Sequence, residues 1–439
     1  MMLNKIKESI QRIDELSKKK SLKVISHFDT DGITSAAIFS KALARWEKKF
    51  SLQIVKGLDE EIVKELSEED VLIFLDLASG SLEYLKNKKT EVFIFDHHEI
   101  VQEIPGNVFM VNSATQGDEK LSSAAICYLF AKELKPANKE LASLAVLGMV
   151  GDLHEKNIGK IFGEILRDAE TIIKKGFLVY PSTRPLDRTL EYSFSPYIPE
   201  VSGSREGVLR LLRDAGIKNE NGRYKALYEL NDEEMKGLIT AILLRRGMSL
   251  NEEQIVGNLF LVKFFNKLED ARELSALINS CSRMDRPEIA LGFCLGNKNC
   301  REEAEKIYIN YKQSLSSALK HLSEIEKIEG KDYIIINARD KIKDTIIGTV
   351  ASIMSHSPLY SEGLVIVALA YNNDKIKVSA RLAGREGRNV RDVLYRAVIP
   401  IGGEVGGHPN AAGCLILKEQ EGEFISELRK VLDVQVVKV

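Results

Sequence analysis

Four short runs rich in Val, Ile, Leu and Phe punctuate residues 22–98: LKVISH, LQIVKG, VLIFLDLA and EVFIFDHH. Each is too short for a buried helix and apolar at consecutive positions, the pattern of a strand covered on both faces. Helical spacing fills the gaps, in TSAAIFSKALARWEKK, DEEIVKELSEE and SLEYLKNKK. Strands alternating with helices build a parallel sheet, because a crossover helix is what returns the chain to start a parallel neighbour. The expected fold class is therefore α/β, with a doubly wound, mainly parallel sheet. Two further helical segments follow, near residues 122–134 and 139–150.

Strand signals return past Gly330 in DYIIINA, GLVIVALAY, KIKVSARL and AGCLILK, with helices in IKDTIIGTVASIMSH, NVRDVLYRAVIP and EGEFISELRKVL. They predict a second, smaller α/β domain. In the middle, PSTRPLDRTLEYSFSPYIPEVSGS reads as an irregular connector. SREGVLRLLRDAG and NDEEMKGLITAILLRRG read as short helices, and LEDARELSALINSCSRMDRP as a helix ending before Pro287. The charged, periodic stretch from Asn299 to Ile328 predicts one long helix. The expected organisation is two lobes joined by that helix. Residues 1–180 form the first domain, and 181–298 a connector and helical inserted region packing on it. Residues 299–329 form the linker helix and 330–439 the C-terminal domain.

With 439 residues, 44% hydrophobic and 29% charged, the chain is folded rather than disordered and has room for two or three domains. Its 62 Lys and Arg against 64 Asp and Glu leave a net charge of -2. Bulk charge therefore predicts no polyanion partner, and a nucleic-acid site must rest on local clusters. One such cluster holds Arg381, Arg385, Arg388, Arg391 and Arg396. The five cysteines form no C-x-x-C pair, which argues against structural zinc and for a reducing compartment. The charged start lacks the apolar core of a signal peptide, and the longest apolar run, LASLAVLGMV, is too short to span a bilayer. A cytoplasmic protein is expected.

The chemistry-bearing residues share one address. His27, Asp29 and Asp31 follow the first apolar run; Asp76 ends the third; Asp96, His97 and His98 end the fourth; Asp152 and His154 follow LAVLGMVG. In an open α/β sheet the carboxyl ends of strands converge on one crevice. Carboxylates crowded there repel each other and would sooner take up protons than stay charged, unless cations join them. Mixed Asp and His donors suit Mn²⁺, with Mg²⁺, Co²⁺ and Zn²⁺ as competitors. Two ions bridged by one carboxylate activate water and hold a phosphoryl oxygen, so the expected activity is that of a two-metal phosphoesterase. Each piece alone has a plainer reading: H-x-D-x-D as a turn with an N-cap aspartate, Asp76 as a strand-end cap, DHH as a surface turn. Their joint occurrence, each at the end of an element, favours metals.

SHFDTDG, FLDLA, FDHHE and VGDLH resemble the four successive motifs of the DHH phosphoesterase superfamily. GGEVGGHPNAAG resembles the GGGH-x-x-A-A-G motif of its associated C-terminal domain. RELSALINSCSRMDRP and VSARLAG are similar to segments of RecJ-like nucleases, especially the archaeal branch, and no room remains for the OB-type domain of bacterial RecJ. The resemblance implies one ion held by His27, Asp29 and Asp76, and a second by Asp31, Asp76, His97 and Asp152, with Asp76 as the bridge. It also implies that His98 touches a phosphate oxygen and that Asp96 orients an imidazole. Substrate contacts are expected from Ser379, Arg381, Gly406, Gly407 and His408, and from Arg283 near a helix end.

The implied activity is a metal-dependent exonuclease on single-stranded DNA or RNA, in repair or replication, threading the strand between two lobes. The implied partners are single-stranded nucleic acid and either a GINS-like replisome component or a repair helicase. The competing reading is a phosphodiesterase for short oligonucleotides or cyclic dinucleotides. A non-catalytic replisome scaffold and a pyrophosphatase fit less well.

Overall fold

Leu22, Val24 and Ile25, all of Val71–Leu75 and all of Val92–Asp96 are buried, as strands sandwiched between helices must be. They belong to a five-stranded sheet of β1 (Leu22–His27), β2 (Phe50–Val55), β3 (Val71–Leu75), β4 (Val92–Asp96) and β5 (Val108–Asn112). The spatial order is β2-β1-β3-β4-β5 and every pairing is parallel. The doubly wound sheet expected from the sequence is thus present, with one addition, β5 from VFMVN. The structure, a computed structural model, describes residues 2–434 except 101, 117, 118, 157, 194, 195, 197, 247–254, 323, 358, 385 and 404.

It divides into two units, Met1–Tyr192 with Gly203–Tyr308, and Ser193–Ser202 with Ile309–Val439. The first unit has a core that runs well beyond the sheet. Phe260, Val262, Leu274, Ile278 and Phe293 join the same buried cluster as Val24, Phe39 and Phe95. The connector also carries a short helix, Leu186–Glu191, which buries Leu186 and Leu190 behind Pro185, whose fixed φ starts it.

The region expected to be helical holds strands as well. β7 (Val256–Phe264) and β8 (Lys267–Asp270) lie within 181–298 and pair with β6 (Ile172–Phe177), which precedes that region, in an antiparallel sheet of order β6-β7-β8. The β7–β8 hairpin turns on Phe265 and Asn266, at φ 48° and 58°. A two-residue turn of this kind usually carries Asn-Gly or Asp-Gly, so Phe-Asn concealed it.

The second unit is a six-stranded sheet of β9 (Lys327–Glu329), β10 (Tyr333–Asn337), β11 (Val365–Asn372), β12 (Lys375–Leu382), β13 (Val405–His408) and β14 (Ala411–Leu417), in the order β13-β14-β12-β11-β10-β9. Helices Val390–Val398 and Glu421–Asp433 pack their apolar stripes on Ile376, Val378 and Ala380 from one face. Helix Asp344–Ser355 packs against β11 and β12. The long helix is Lys298–His321, shorter than the expected 299–329. Its expected end is β9 instead, because Ile328 pairs across from Ile335 and packs on this core. No described helix is long and apolar enough to cross a membrane.

Phe130 lies stacked on Phe39 at 4.7 Å between ring centroids and edge-on to Phe95 at 5.3 Å, all three fully buried. Phe130→Ala is expected to cost about 3–5 kcal/mol of unfolding free energy, read from the midpoint shift in chemical denaturation.

Candidate metal centre

The strand order reverses at β1 and β3, where the crevice of a doubly wound sheet opens. β1 ends at His27, Asp76 directly follows β3, β4 ends at Asp96 before His97 and His98, and Asp152 caps the C-terminus of helix Ala142–Gly151. These elements bring the predicted residues into two donor sets. His27, Asp29 and Asp76 form one; Asp31, Asp76, His97 and Asp152 form the other; within each, donor atoms lie within 4.8 Å of one another. His27 Nδ1 is 3.0 Å from Asp29 Oδ2 and 3.4 Å from Asp76 Oδ2. His97 Nε2 is 2.9 Å from Asp152 Oδ2, 3.4 Å from Asp76 Oδ1 and 3.8 Å from Asp31 Oδ2.

Local geometry explains the spacing H-x-D-x-D. Asp29 is the N-cap of helix Thr30–Arg45, and its Oδ1 accepts from Gly32 N at 3.0 Å. Its other oxygen is left for His27. A Cβ on Gly32 would sit 2.2 Å from the His27 carbonyl oxygen, so glycine is what lets the helix start this close to the strand end. Asp31, fully buried, accepts from the backbone N–H groups of Ser123 at 2.7 Å and Ala124 at 3.0 Å, at the start of helix Ser123–Leu134. That helix end favours negative charge, and each carboxylate oxygen retains a second lone pair. Asp76 takes φ 59°, a left-handed conformation that Asp tolerates better than most residues, and Ser123 Oγ donates to its Oδ1 at 3.0 Å.

Helix Ala271–Arg283 braces this loop from outside the sheet. Thr30 N donates to Asn279 Oδ1 at 3.2 Å, and Thr30 Oγ1 donates to the Ser275 carbonyl at 2.9 Å. Arg272 on the same helix pairs with Glu155, three residues past Asp152. Ser123, Thr30, Ser275 and Asn279 carried no sequence signal of a role here beyond the apolar run that Ser122 and Ser123 introduce.

The cluster is short of positive charge. Burial alone would lower His27 and His97, yet Asp29 and Asp76 hold the first well above its ordinary value, and Asp152 and Asp76 raise the second. Burial raises Asp76 well above the carboxylate range, and the charges of Asp29 and Asp31 add to it. Burial and Asp31 raise Asp152 likewise. Three buried atoms, His27 Nδ1, Asp76 Oδ2 and Asp152 Oδ2, make no hydrogen bond of good geometry although ionisable neighbours lie 2.9–3.4 Å away. Such donor atoms around a carboxylate common to both sets are what two divalent cations require, so the residues fit.

Asp96 and His98 stand beside these sets. Asp96 Oδ1 lies 2.7 Å from His98 Nδ1 and accepts from His97 N at 2.7 Å, while its Oδ2 accepts from Ser79 N. Burial would lower His98, but its hydrogen bond to Asp96 and that carboxylate's charge lift it to about 9.

In the second unit the predicted contacts share one sheet face. Register pairs Ser379 with Gly413 and Gly413 with Gly406; the next row pairs Arg381 with Ala411 and Ala411 with His408. Cross-strand partners point to the same side, so Ser379, Arg381, Gly406 and His408 lie together. Arg381 Nε donates to Ser352 Oγ at 2.8 Å, which ties the guanidinium to helix Asp344–Ser355. Val405–His408 of the glycine-rich segment form the edge strand β13. Gly407, at φ 120°, allows the close pairing, since a Cβ there would meet the Ala411 carbonyl oxygen at 2.4 Å. Gly406 is exposed with open space beside it.

Other arginines do plainer work. Arg388 donates to the carbonyls of Val431 and Val434 at the end of the terminal helix, and Arg391 and Arg396 are exposed on their helix. Arg385 lies outside the described residues. Arg283, in the first unit, is half-buried at the last turn of its helix and has no ion-pair partner among the described residues.

A parallel sheet whose strand ends gather Asp and His into two joined donor sets defines a phosphoesterase of the DHH type. Residues 21–149 match the DHH family N-terminal domain, 180–256 the DHH-CID domain and 330–433 the DHHA1 domain. The chain belongs to the DHH phosphoesterase superfamily, and its fold is like that of RecJ. It is 27% identical over 459 residues to the uncharacterized protein MJ0831 of Methanocaldococcus jannaschii, covering 99% of each chain. Among solved structures it resembles exonuclease RecJ bound to manganese, at 17% identity and TM-score 0.62, over 98% of this chain and 95% of that one. It also resembles CDC45 from Entamoeba histolytica, at 12% identity and TM-score 0.64, over 98% and 99%. At such identities these two likenesses concern the fold.

Gly148, inside helix Ala142–Gly151, lies where a Cβ would be 2.5 Å from both Asp31 Oδ1 and Ala124 Cβ. Gly148→Ala gains about 1 kcal/mol of helix propensity. Overpacking costs about 1–3 kcal/mol, so a net loss is expected in denaturation, together with weaker divalent-metal binding by calorimetry.

Proposed function

We propose that the protein is a divalent-metal-dependent exonuclease that hydrolyses phosphodiester bonds of single-stranded DNA or RNA, releasing terminal nucleotides one at a time. The reading rests on Asp76, a buried carboxylate common to both donor sets with one oxygen that makes no hydrogen bond of good geometry. Mn²⁺ suits the mixed Asp and His donors, with Mg²⁺ or Co²⁺ as substitutes; the similar RecJ structure bound to manganese supports that choice. When bound, the two ions supply the Lewis acidity that makes water a nucleophile at neutral pH and offsets charge on phosphoryl oxygens.

The side chains divide the remaining work. His27, Asp29 and Asp76 hold one ion, and Asp31, Asp76, His97 and Asp152 the other. His98 donates to a phosphoryl oxygen of the substrate and offsets charge developing there, while Asp96 fixes the ring. Residues 1–180 thus carry the catalytic domain. Residues 330–439 bind nucleic acid, with Ser379, Arg381, His408 and the backbone of Gly406 and Gly407 taking phosphates, Arg381 through its planar guanidinium. Arg283 adds a phosphate contact in the first unit. The family resemblance supports a place in DNA repair or replication in the cytoplasm, with a GINS-like replisome component or a repair helicase as partner.

Digesting 5′- and 3′-labelled single-stranded DNA and RNA of graded length with Mn²⁺ or Mg²⁺ tests the proposal. Mononucleotide release from long strands, abolished by a chelator, is expected. Cleavage confined to dimers through pentamers or to cyclic dinucleotides replaces it with the small-substrate phosphodiesterase. Asp76→Ala is expected to lose both ions in calorimetry. His98→Ala is expected to keep them while kcat falls about 10²–10³-fold, the scale of losing one preorganised donor.

A further inference from the structure

His154 was grouped with the site by sequence but has no part in either donor set. A ring nitrogen of His154 nevertheless lies within 4.8 Å of donor atoms of His97 and Asp152, both of which belong to the second set. That grouping does not include Asp31 or Asp76. Its ring meets the His97 ring edge-on at 5.5 Å between centroids.

We infer that His154 is a further donor to the ion at the second set, and that it biases this position toward ions that accept nitrogen over Mg²⁺. The inference rests on the two-ion reading above. Its first support is the tautomer. His154 Nδ1 is 3.2 Å from the Lys120 carbonyl oxygen, and a carbonyl only accepts, so Nδ1 carries the hydrogen. A neutral ring then has its lone pair on Nε2, which has no hydrogen bond or ion pair among the described residues. A backbone carbonyl holding one nitrogen while the other stays free is the usual support of a metal-binding imidazole.

The second support is the placement of the loop. Leu153 takes φ 58°, turning the chain sharply between Asp152 and His154. Glu155, next to His154, is buried and paired with Arg272 of helix Ala271–Arg283, the helix whose Ser275 and Asn279 hold Thr30 between Asp29 and Asp31. One rigid element therefore positions both the loop that carries Asp29 and Asp31 and the loop that carries Asp152 and His154. Tying down the Lys120 carbonyl would account for Nδ1 alone, and leaves the proximity to His97 and Asp152 without a purpose.

The donor chemistry sets the consequence. Mg²⁺ prefers oxygen donors and keeps its waters, whereas Mn²⁺, Co²⁺ and Zn²⁺ accept imidazole increasingly well. Removing His154 should thus weaken the nitrogen-accepting ions and leave Mg²⁺ nearly unchanged.

The test is calorimetric titration of the metal-free full-length protein with Mn²⁺ and, separately, Mg²⁺, using wild type, His154→Ala and His154→Asp. Wild type should bind two ions. His154→Ala should keep that stoichiometry with one Mn²⁺ site weakened about 10–100-fold, while Mg²⁺ affinity stays within about threefold. His154→Asp, which substitutes an oxygen donor, should regain Mn²⁺ affinity and bind Mg²⁺ more tightly than wild type. The visible absorption of the Co²⁺-loaded protein should change in His154→Ala, as a nitrogen ligand is lost. Wild-type Mn²⁺ affinity and an unchanged Co²⁺ spectrum in His154→Ala would overturn this inference while the two-ion reading stood. Failure of wild type to bind any of the ions would overturn that reading, and this inference with it.

Discussion

Carboxylates that share a buried crevice repel one another, and the first unit is arranged around that repulsion. Asp29, Asp31, Asp76, Asp96 and Asp152 come from four separate segments, and the fold divides them by how their charge is met. Asp31 and Asp96 have each oxygen on backbone N–H groups, from Ser123 and Ala124 in one case and from His97 and Ser79 in the other. Asp76 and Asp152 each keep an oxygen without a hydrogen bond of good geometry, and burial drives both toward protonation. Protons and raised imidazoles are the response of the chain by itself; divalent cations are the response its geometry accommodates.

Much of this was legible because the sheet repeats a simple rule. Buried parallel strands read as unbroken apolar runs, and their carboxyl ends point one way, so residues distant in sequence were assigned to one crevice without further information. Asp29 shows the limit of such reading. Capping and ion binding were posed as alternatives, yet the carboxylate has two oxygens and uses one for Gly32 and one for His27. What stayed hidden was everything carried by small or neutral groups: Gly148 making room beside Asp31, Ser123 reaching Asp76, Asn279 holding Thr30. A glycine kept for want of space looks like any other in a sequence.

The second unit shows the same contrast from the other side. Strand pairing shapes Val405–His408, since glycine lacks the Cβ that would obstruct β14 at Gly407. Neighbouring glycines are not equivalent: Gly407 serves the sheet, and Gly406 is open to whatever approaches the face that Ser379, Arg381 and His408 share. The β7–β8 hairpin escaped notice for the opposite reason, having left-handed turn residues that are not glycine at all.

The hydrogen bond from Thr30 to Asn279 spans 249 residues of chain. A ribosome will have extruded the whole parallel sheet, with its acidic loop already made, long before that brace emerges. Thr30, between Asp29 and Asp31, is therefore held by a part of the chain made long after the acidic loop itself.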